Sequence, residues 1–90
     1  MLEGKVKVIN PLGLHARAAA QVVKLASGYK SQITITRPDN SASADAKSML
    51  SVLTLAASIN TMLELTVTGD DEKTAFDAVN DLFNSGFGEI

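Results

Sequence analysis

The sequence predicts an α+β fold with the element order β-α-β-β-α-β-α, in which the helices pack on one face of a β-sheet. Several segments alternate between apolar and polar residues, which is typical of strands with one buried and one solvated face. Other segments place apolar residues at i, i+3, i+4 and i+7, which indicates amphipathic helices. Proline, glycine, asparagine and serine separate the segments and predict the turns.

The first half of the chain contains three strand-like segments and one helix-like segment. Valines alternate with lysines at residues 4–9 and predict a half-buried strand. Alanines and valines at helical spacing follow from Ala16, and Gly28 supplies the stop. Turn residues at 38–41 predict a hairpin. The predicted elements are a strand at residues 4–9, a helix from Ala16 to Gly28, and strands at 32–37 and 42–45.

The second half contains a strand between two helices. A short helix is predicted at residues 48–56, followed by a loop in which Asn60 is suited to a left-handed backbone conformation. Leucine and valine alternate with polar residues at 63–68 and predict a strand. The last helix is predicted to begin in the acidic cluster at 70–72, where negative charges meet the positive end of the helix dipole, and to end at Ser85-Gly86.

The composition argues against disulfides, metal sites and membrane-spanning segments. Ninety residues suffice for one domain, and 46% hydrophobic content is typical of a globular protein. The chain has no cysteine, which excludes disulfides and thiolate metal sites, and the carboxylates show no ligand spacing, so neither a metal nor a cofactor is expected. The N-terminus resembles a strand rather than a signal peptide, and no apolar run approaches the ~20 residues that span a bilayer. We expect a cytoplasmic protein without membrane insertion.

The charge distribution favours an anionic ligand or an acidic protein partner. The net charge is −2, and only 4% of the residues are aromatic, which argues against nucleic-acid binding. Most lysines and arginines nevertheless lie in the first half of the chain, whereas most aspartates lie in the last third.

The only histidine, His15, lies directly before the first predicted helix. The first amides of a helix have no intrahelical partner and carry the positive end of its dipole, which makes them an anion site. Here the amides of Ala16 and Arg17, with the Arg17 guanidinium beside them, are expected to hold an anion within reach of the ring. This arrangement suggests a histidine that receives a phosphoryl group, with positioning and electrostatics supplying the catalysis. The alternatives are a structural His15 and an Arg17 that is merely solvated.

The second predicted helix has more apolar side chains than one buried face can take. If Val52, Leu55 and Ile59 face the core, the remaining ones point elsewhere, which favours a partner-docking surface. The alternative is a helix buried on most sides. Ser48 is suited to capping this helix. The predicted docking surface consists of Met49, Leu50 and Leu53 with Lys24 and Lys47.

Two motifs resemble the signatures of the HPr family, the histidine-phosphorylatable phosphocarriers of the bacterial phosphotransferase system. They are NPLGLHAR at residues 10–17 and ADAKSMLSVLTLA at 44–56, and the resemblance covers essentially the whole chain, 1–90, as one HPr-like domain. It implies an open-faced β-sandwich in which three helices lie on one face of a four-stranded antiparallel sheet.

The resemblance also implies a function. His15 would accept a phosphoryl group on Nδ1 from phosphorylated Enzyme I, with Arg17 stabilising it, and would pass it to EIIA domains. The protein would be a monomeric carrier rather than a standalone catalyst. Ser48 matches the regulatory phosphorylation site, the target of an HPr kinase/phosphorylase in cells that have one.

Three positions depart from the family pattern. Ala18 stands where proline is usual, which implies a modest change in pre-organisation, and Ser51 and Asn60 stand where glycines are common. The tail DLFNSGF at 81–87 is more similar to the nitrogen-branch paralogue NPr than to the sugar-branch protein, so both branches stay open.

A hydrolytic or metal-dependent enzyme is disfavoured by the single histidine. A purely regulatory module signalling through Ser48 is disfavoured by the presence of His15.

Overall fold

The computed structural model describes residues 1–89 and has the predicted order of elements. Alternating segments form the strands, and segments with helical periodicity form the helices. The elements are β1 (Leu2–Lys7), α1 (Ala16–Ala26), β2 (Gln32–Arg37), β3 (Ala42–Asp45), α2 (Met49–Thr54), β4 (Met62–Thr68), α3 (Glu72–Asn84) and a short 3₁₀ turn (Gly86–Gly88).

The strands form one antiparallel sheet in the order β1-β4-β2-β3. Its inward face is apolar: Ile35 pairs with Leu65 of β4 on one side and with Ala44 of β3 on the other, and all are buried. The outward face is polar, since Thr34 pairs with Thr66, and both side chains remain partly exposed. The helices cover only the apolar face, which confirms the predicted α+β architecture.

The helices complete the core with small side chains from α1 and larger ones from α3. Alanines at buried positions let α1 approach the sheet closely, whereas Phe83 of α3 fills the space beside it. Val23, Phe76 and Leu82, which the helical periodicity assigns to the core face, are only partly buried at its margin. The buried helix residues are Ala18, Ala19, Val22 and Ala26 in α1 and Ala75, Val79 and Phe83 in α3.

Strand β1 ends earlier than predicted, because the chain pairs with a loop beyond Lys7. The Val8 amide donates to the Thr61 carbonyl at 3.0 Å, and the Val8 carbonyl accepts from the Asn60 amide at 2.7 Å. Asn60 has φ 75°, the left-handed conformation predicted for it. The regular ladder between β1 and β4 therefore ends at this turn.

Helix α3 begins in the acidic cluster, as predicted, but the Asp71 carboxylate has a further role. Asp71 occupies the N-cap position of α3 but makes no side-chain bond to the amides of that helix. Its carboxylate instead accepts from the backbone amides of Lys30 at 2.8 Å and Ser31 at 2.9 Å, and from the Ser31 hydroxyl. These bonds hold the pKa of Asp71 below its usual value, with the Ser31 hydroxyl contributing most. Asp71 therefore ties the α1–β2 connection to α3.

Candidate functional site

The segment between β1 and α1 is held rigidly before it reaches His15. The fully buried side-chain amide of Asn10 donates to the Gly13 carbonyl at 2.8 Å, and the Gly13 amide returns a bond to the Asn10 carbonyl at 3.1 Å. Gly13 has φ 68°, and a Cβ there would lie 2.6 Å from the Ala57 carbonyl oxygen. The Leu14 amide donates to that same oxygen at 2.9 Å. The loop therefore leaves no room for a side chain at Gly13 and presents His15 at one position.

His15 is the N-cap residue of α1. Its backbone is extended, and its carbonyl accepts the first intrahelical bond, from the Ala19 amide at 2.8 Å. Its ring nitrogen Nδ1 accepts from the Arg17 amide at 3.3 Å, which fulfils the side-chain role of an N-cap. The sequence predicts an anion bound to this amide, but in the unmodified protein the ring itself accepts from it. A group bonded to Nδ1 would consequently lie at the N-terminus of the helix.

The other ring nitrogen faces a carboxylate. Nε2 pairs with Oε2 of Glu89, and Oε1 of Glu89 accepts from the Asn10 side-chain amide at 3.0 Å. The bond from Asn10 contributes most to holding the pKa of Glu89 below its usual value, followed by the bond from His15. The positive charge of Arg17 acts in the same direction. Glu89 therefore remains ionised beside the ring at neutral pH.

The tail after α3 carries Glu89 back to α1. Phe87 is buried, and its ring lies edge-to-face against Phe83 with 5.1 Å between the ring centroids. The Phe87 backbone is left-handed, with φ 57°, and its carbonyl accepts from the Gln21 side-chain amide at 3.2 Å. The Glu89 amide then donates to the Gly86 carbonyl at 3.0 Å.

Sequence reasoning missed both Glu89 and the structural role of Asn10. The only signal in the tail was Phe87, an apolar residue between two glycines directly after the last helix. That pattern is consistent with a chain that turns back and buries a side chain. It does not specify which site the following residue reaches.

The remaining predicted site residues of α1 lie in its first turn. Arg17 is exposed, and within residues 1–89 its side chain makes no hydrogen bond or ion pair. Ala16 is exposed as well, whereas Ala18 is fully buried. The amides of these three residues precede the first intrahelical donor, Ala19. Within residues 1–89, the amides of Ala16 and Ala18 therefore have no acceptor, whereas the Arg17 amide donates to the ring.

Ser48 is the N-cap residue of α2, as predicted. Its hydroxyl accepts from the Ser51 amide at 3.3 Å, and its carbonyl accepts from the Val52 amide at 3.0 Å. The Ser48 amide donates to the Asp45 carbonyl at 2.9 Å. Ser48 thus fixes the start of α2 while its side chain remains partly exposed.

Helix α2 exposes only part of its surplus of apolar side chains. Leu50 is 75% exposed, whereas Met49 and Leu53 pack against the core. The expectation that Ile59 faces the core is wrong, because Ile59 is 44% exposed. The helix has already ended at Thr54, with Leu55 as its C-cap, so helical spacing does not extend to Ile59.

The two lysines of the predicted docking surface lie in different surroundings. The Lys47 ammonium donates to the Tyr29 carbonyl at 2.7 Å. Lys24 is exposed and lines a surface groove with Leu82 of α3. Near His15 the structure instead exposes Leu12, which is 70% accessible and which the sequence did not single out. A leucine inside a Pro-Leu-Gly turn has no strand or helix face on which to be buried.

Two kinds of site are not found among the residues described. Residues 1–89 contain no group of three or more histidine, cysteine, aspartate and glutamate side chains positioned to hold a metal ion. None of the helices in that range has the length and apolar character required to cross a membrane.

Comparison with known proteins identifies the family. A family model described as "PTS HPr component phosphorylation site" matches residues 2–85. Phosphocarrier protein HPr of Cupriavidus necator is 43% identical over 89 residues, covering 99% of this chain and 98% of that protein. Its counterpart from Neisseria meningitidis is 40% identical over the same shares. The crystal structure of HPr-C-His from Thermoanaerobacter tengcongensis matches with a TM-score of 0.93 at 38% identity, covering 100% of this chain and 99% of that chain. This chain therefore belongs to the HPr family, the phosphocarrier proteins of the phosphotransferase system, which carry a phosphoryl group rather than act as standalone catalysts.

Proposed function

We propose that this protein accepts a phosphoryl group on Nδ1 of His15 from phosphorylated Enzyme I and passes it to EIIA domains in the cytoplasm. The observation that carries the proposal is the direction of the ring. Nδ1 lies 3.3 Å from the Arg17 amide at the N-terminus of α1, whereas Nε2 is covered by Glu89. A phosphoryl group on Nδ1 would meet free amides, a helix dipole and a guanidinium.

The transfer step needs only an imidazole lone pair and groups that stabilise the negative charge of the phosphoryl oxygens. The lone pair of Nδ1 attacks phosphorus, while the bond from phosphorus to its donor atom on Enzyme I breaks and its electron pair returns to that atom. The phosphoryl oxygens then replace the ring as the acceptor for the Arg17 amide and also accept from the Ala16 amide. Positioning and charge stabilisation supply the catalysis, as in other phosphoryl transfers.

Exposed leucines support a docking surface for the phosphotransferase partners. Leu12, directly before the His15 turn, and Leu50 on α2 are at least 70% accessible. Single exposed apolar residues are ordinary, but an exposed leucine directly before the transfer site suits transient contacts with Enzyme I and EIIA domains. We therefore centre the docking surface on Leu50, with the partly buried Met49 and Leu53 as its support.

The proposal is tested by incubating the protein with phosphoenolpyruvate and catalytic amounts of Enzyme I. We expect a mass gain of one phosphoryl group that is lost in acid and retained in alkali. Omitting Enzyme I should leave the protein unmodified. Failure to gain phosphate, or a gain that survives acid, would contradict a phosphohistidine carrier.

Arg17→Ala is expected to slow the acceptance of phosphate by roughly 10- to 100-fold, because one charge-assisted contact worth ~1.5–3 kcal/mol is lost in the transition state. The fold should be unaffected, since Arg17 is exposed and the helix amides remain. Rapid-quench measurements with phosphorylated Enzyme I give the rate. Lys73→Ala is a suitable control, because Lys73 is an exposed cation on α3 whose partner is Asp77. Equal rates for Arg17→Ala and the wild type would mean that Arg17 is merely solvated.

Ser48→Asp is expected to weaken productive binding of Enzyme I while leaving the melting temperature within a few degrees of wild type. Negative charge is favourable at the start of α2, but beside Leu50 it repels an acidic partner and must be desolvated on docking. The rate of His15 phosphorylation at low Enzyme I concentration should therefore fall.

Ser43→Asp is the matched control for this charge, since Ser43 is exposed on β3, within a sheet whose helices all lie on the opposite, apolar face. If Ser48→Asp and Ser43→Asp accept phosphate as fast as wild type, Ser48 acts only as a helix cap.

A further inference from the structure

We propose that Glu89, held in place by Asn10, is a positioning residue that selects the tautomer of His15 and so determines which ring nitrogen is the nucleophile. The inference rests on the proposed function for its consequence in phosphoryl transfer. The tautomer itself can be measured without any transfer reaction.

The two contacts of the ring require the same tautomer. A backbone amide can only donate, so the Arg17 amide requires a lone pair on Nδ1. An ionised carboxylate can only accept, so Glu89 requires the proton on Nε2. In the opposite tautomer, an N–H would face an N–H at Nδ1, and a lone pair would face a carboxylate oxygen at Nε2. The partner of one ring nitrogen commonly decides the protonation of the other.

Glu89 is itself oriented by a buried group. Both hydrogens of the Asn10 side-chain amide are used, one on the Gly13 carbonyl and one on Oε1 of Glu89. Both partners are acceptors, so the amide cannot be reversed without placing oxygen against oxygen. Burial of Phe87 fixes the tail from the other side. The carboxylate therefore has a fixed position, and its pKa lies below its usual value.

The selected tautomer keeps the proton in place throughout a transfer cycle. The lone pair on Nδ1 forms the bond to phosphorus, and Nε2 retains its proton, so the phosphorylated ring carries a positive charge beside Glu89. In the onward step the N–P bond breaks, its electron pair returns to Nδ1, and the neutral ring is restored with the same proton on Nε2. Glu89 also covers Nε2, which disfavours phosphorylation at the wrong nitrogen.

Glu89→Gln tests this role with almost no change in shape. Asn10 still donates to an oxygen, so the glutamine Oε1 takes the Asn10 hydrogen and its NH₂ group faces Nε2. A donor at Nε2 favours the tautomer with its proton on Nδ1, where it conflicts with the Arg17 amide. Replacing a charged acceptor by a donor should change the tautomer ratio by roughly 10-fold or more toward protonated Nδ1. Acceptance of phosphate at Nδ1 should slow by a similar factor.

The ¹⁵N chemical shifts of the two ring nitrogens measure the tautomer at about pH 9, where an ordinary imidazole is neutral. In wild type we expect a lone pair on Nδ1 and a proton on Nε2, and in Glu89→Gln the two shifts should move toward each other or exchange. Glu3→Gln, an exposed carboxylate on β1, is the matched control and should leave both shifts unchanged. Glu89→Ala, in which water faces Nε2, should give shifts between those of wild type and Glu89→Gln.

The outcomes separate this inference from the proposed function. Unchanged ring shifts in Glu89→Gln, with the fold intact, would overturn the role of Glu89, whatever the transfer rates. Altered shifts support the inference even if the wild-type protein accepts no phosphate from Enzyme I, a result that would contradict the proposed function alone.

Discussion

Replacing His15 by alanine is expected to abolish phosphate acceptance completely rather than to slow it. The ring nitrogen forms the bond to phosphorus, and the chain has no second histidine and no cysteine that could take its place. The neighbouring carboxylate, Glu89, would remain, but the hydrogen bond from Asn10 reduces its nucleophilicity, and an acyl phosphate on it would not have the acid-labile, alkali-stable character of phosphohistidine. Phosphate acceptance by His15→Ala should therefore be undetectable, whereas Arg17→Ala should retain part of it.

The His15→Ala protein should remain folded. The His15 side chain is 26% exposed and serves as a helix cap, and removing a cap costs about 0.5–2 kcal/mol of stability. Intact mass after incubation with phosphoenolpyruvate and Enzyme I measures the phosphate, and circular dichroism during heating measures the fold. Acid-labile phosphate on the folded variant would contradict the assignment of His15 as the acceptor.

Phe87→Ala is expected to destabilise the protein by about 3–5 kcal/mol, the usual cost of removing a buried phenylalanine. Phe87 is 4% exposed and packs edge-to-face on Phe83. A domain of this size is commonly stable by only ~5–15 kcal/mol, so the loss is a large fraction of the total. It should also release the tail and with it the contact of Glu89 with His15.

Equilibrium unfolding in urea, followed by circular dichroism, measures the change in stability. Phe87→Leu is the matched control, because it keeps most of the apolar volume at the same left-handed backbone position and should lose clearly less than Phe87→Ala. The alanine variant should also show altered ¹⁵N shifts of the His15 ring, and the leucine variant should not. A loss of stability below about 1 kcal/mol for Phe87→Ala would mean that the tail contributes little to the core.

Local sequence patterns were sufficient to predict structure where that structure depends only on neighbouring residues. The bounds of β2 and β3 agree with the predicted strands at 32–37 and 42–45, because alternation and the turn at 38–41 act over neighbouring residues. The same holds for the Ser48 cap and the left-handed Asn60, which depend on backbone a few residues away. His15 at the start of α1 belongs to this group as well.

Local patterns failed where a side chain is placed by a distant part of the chain. Ile59 continues the spacing of α2 in the sequence, but α2 ends at Thr54, and Ala56, just beyond the C-cap, adopts a left-handed backbone with φ 48°. The Lys47 ammonium reaches the Tyr29 carbonyl in the middle of the α1–β2 connection, a contact between segments 18 positions apart. Periodicity carries no information about such contacts.

The sequence by itself determined the order of elements, the apolar face of the sheet and the histidine at a helix start, because each of these follows from periodicity or from capping within a few residues. Only the tertiary structure decided how that histidine is oriented. His15 and Glu89 are 74 positions apart, and they meet because Phe87 is buried beside α3 and Asn10 donates a hydrogen bond to the carboxylate. Burial of the Phe87 side chain thus brings the Glu89 carboxylate to the His15 ring, a placement that the residues around Glu89 in the sequence do not specify.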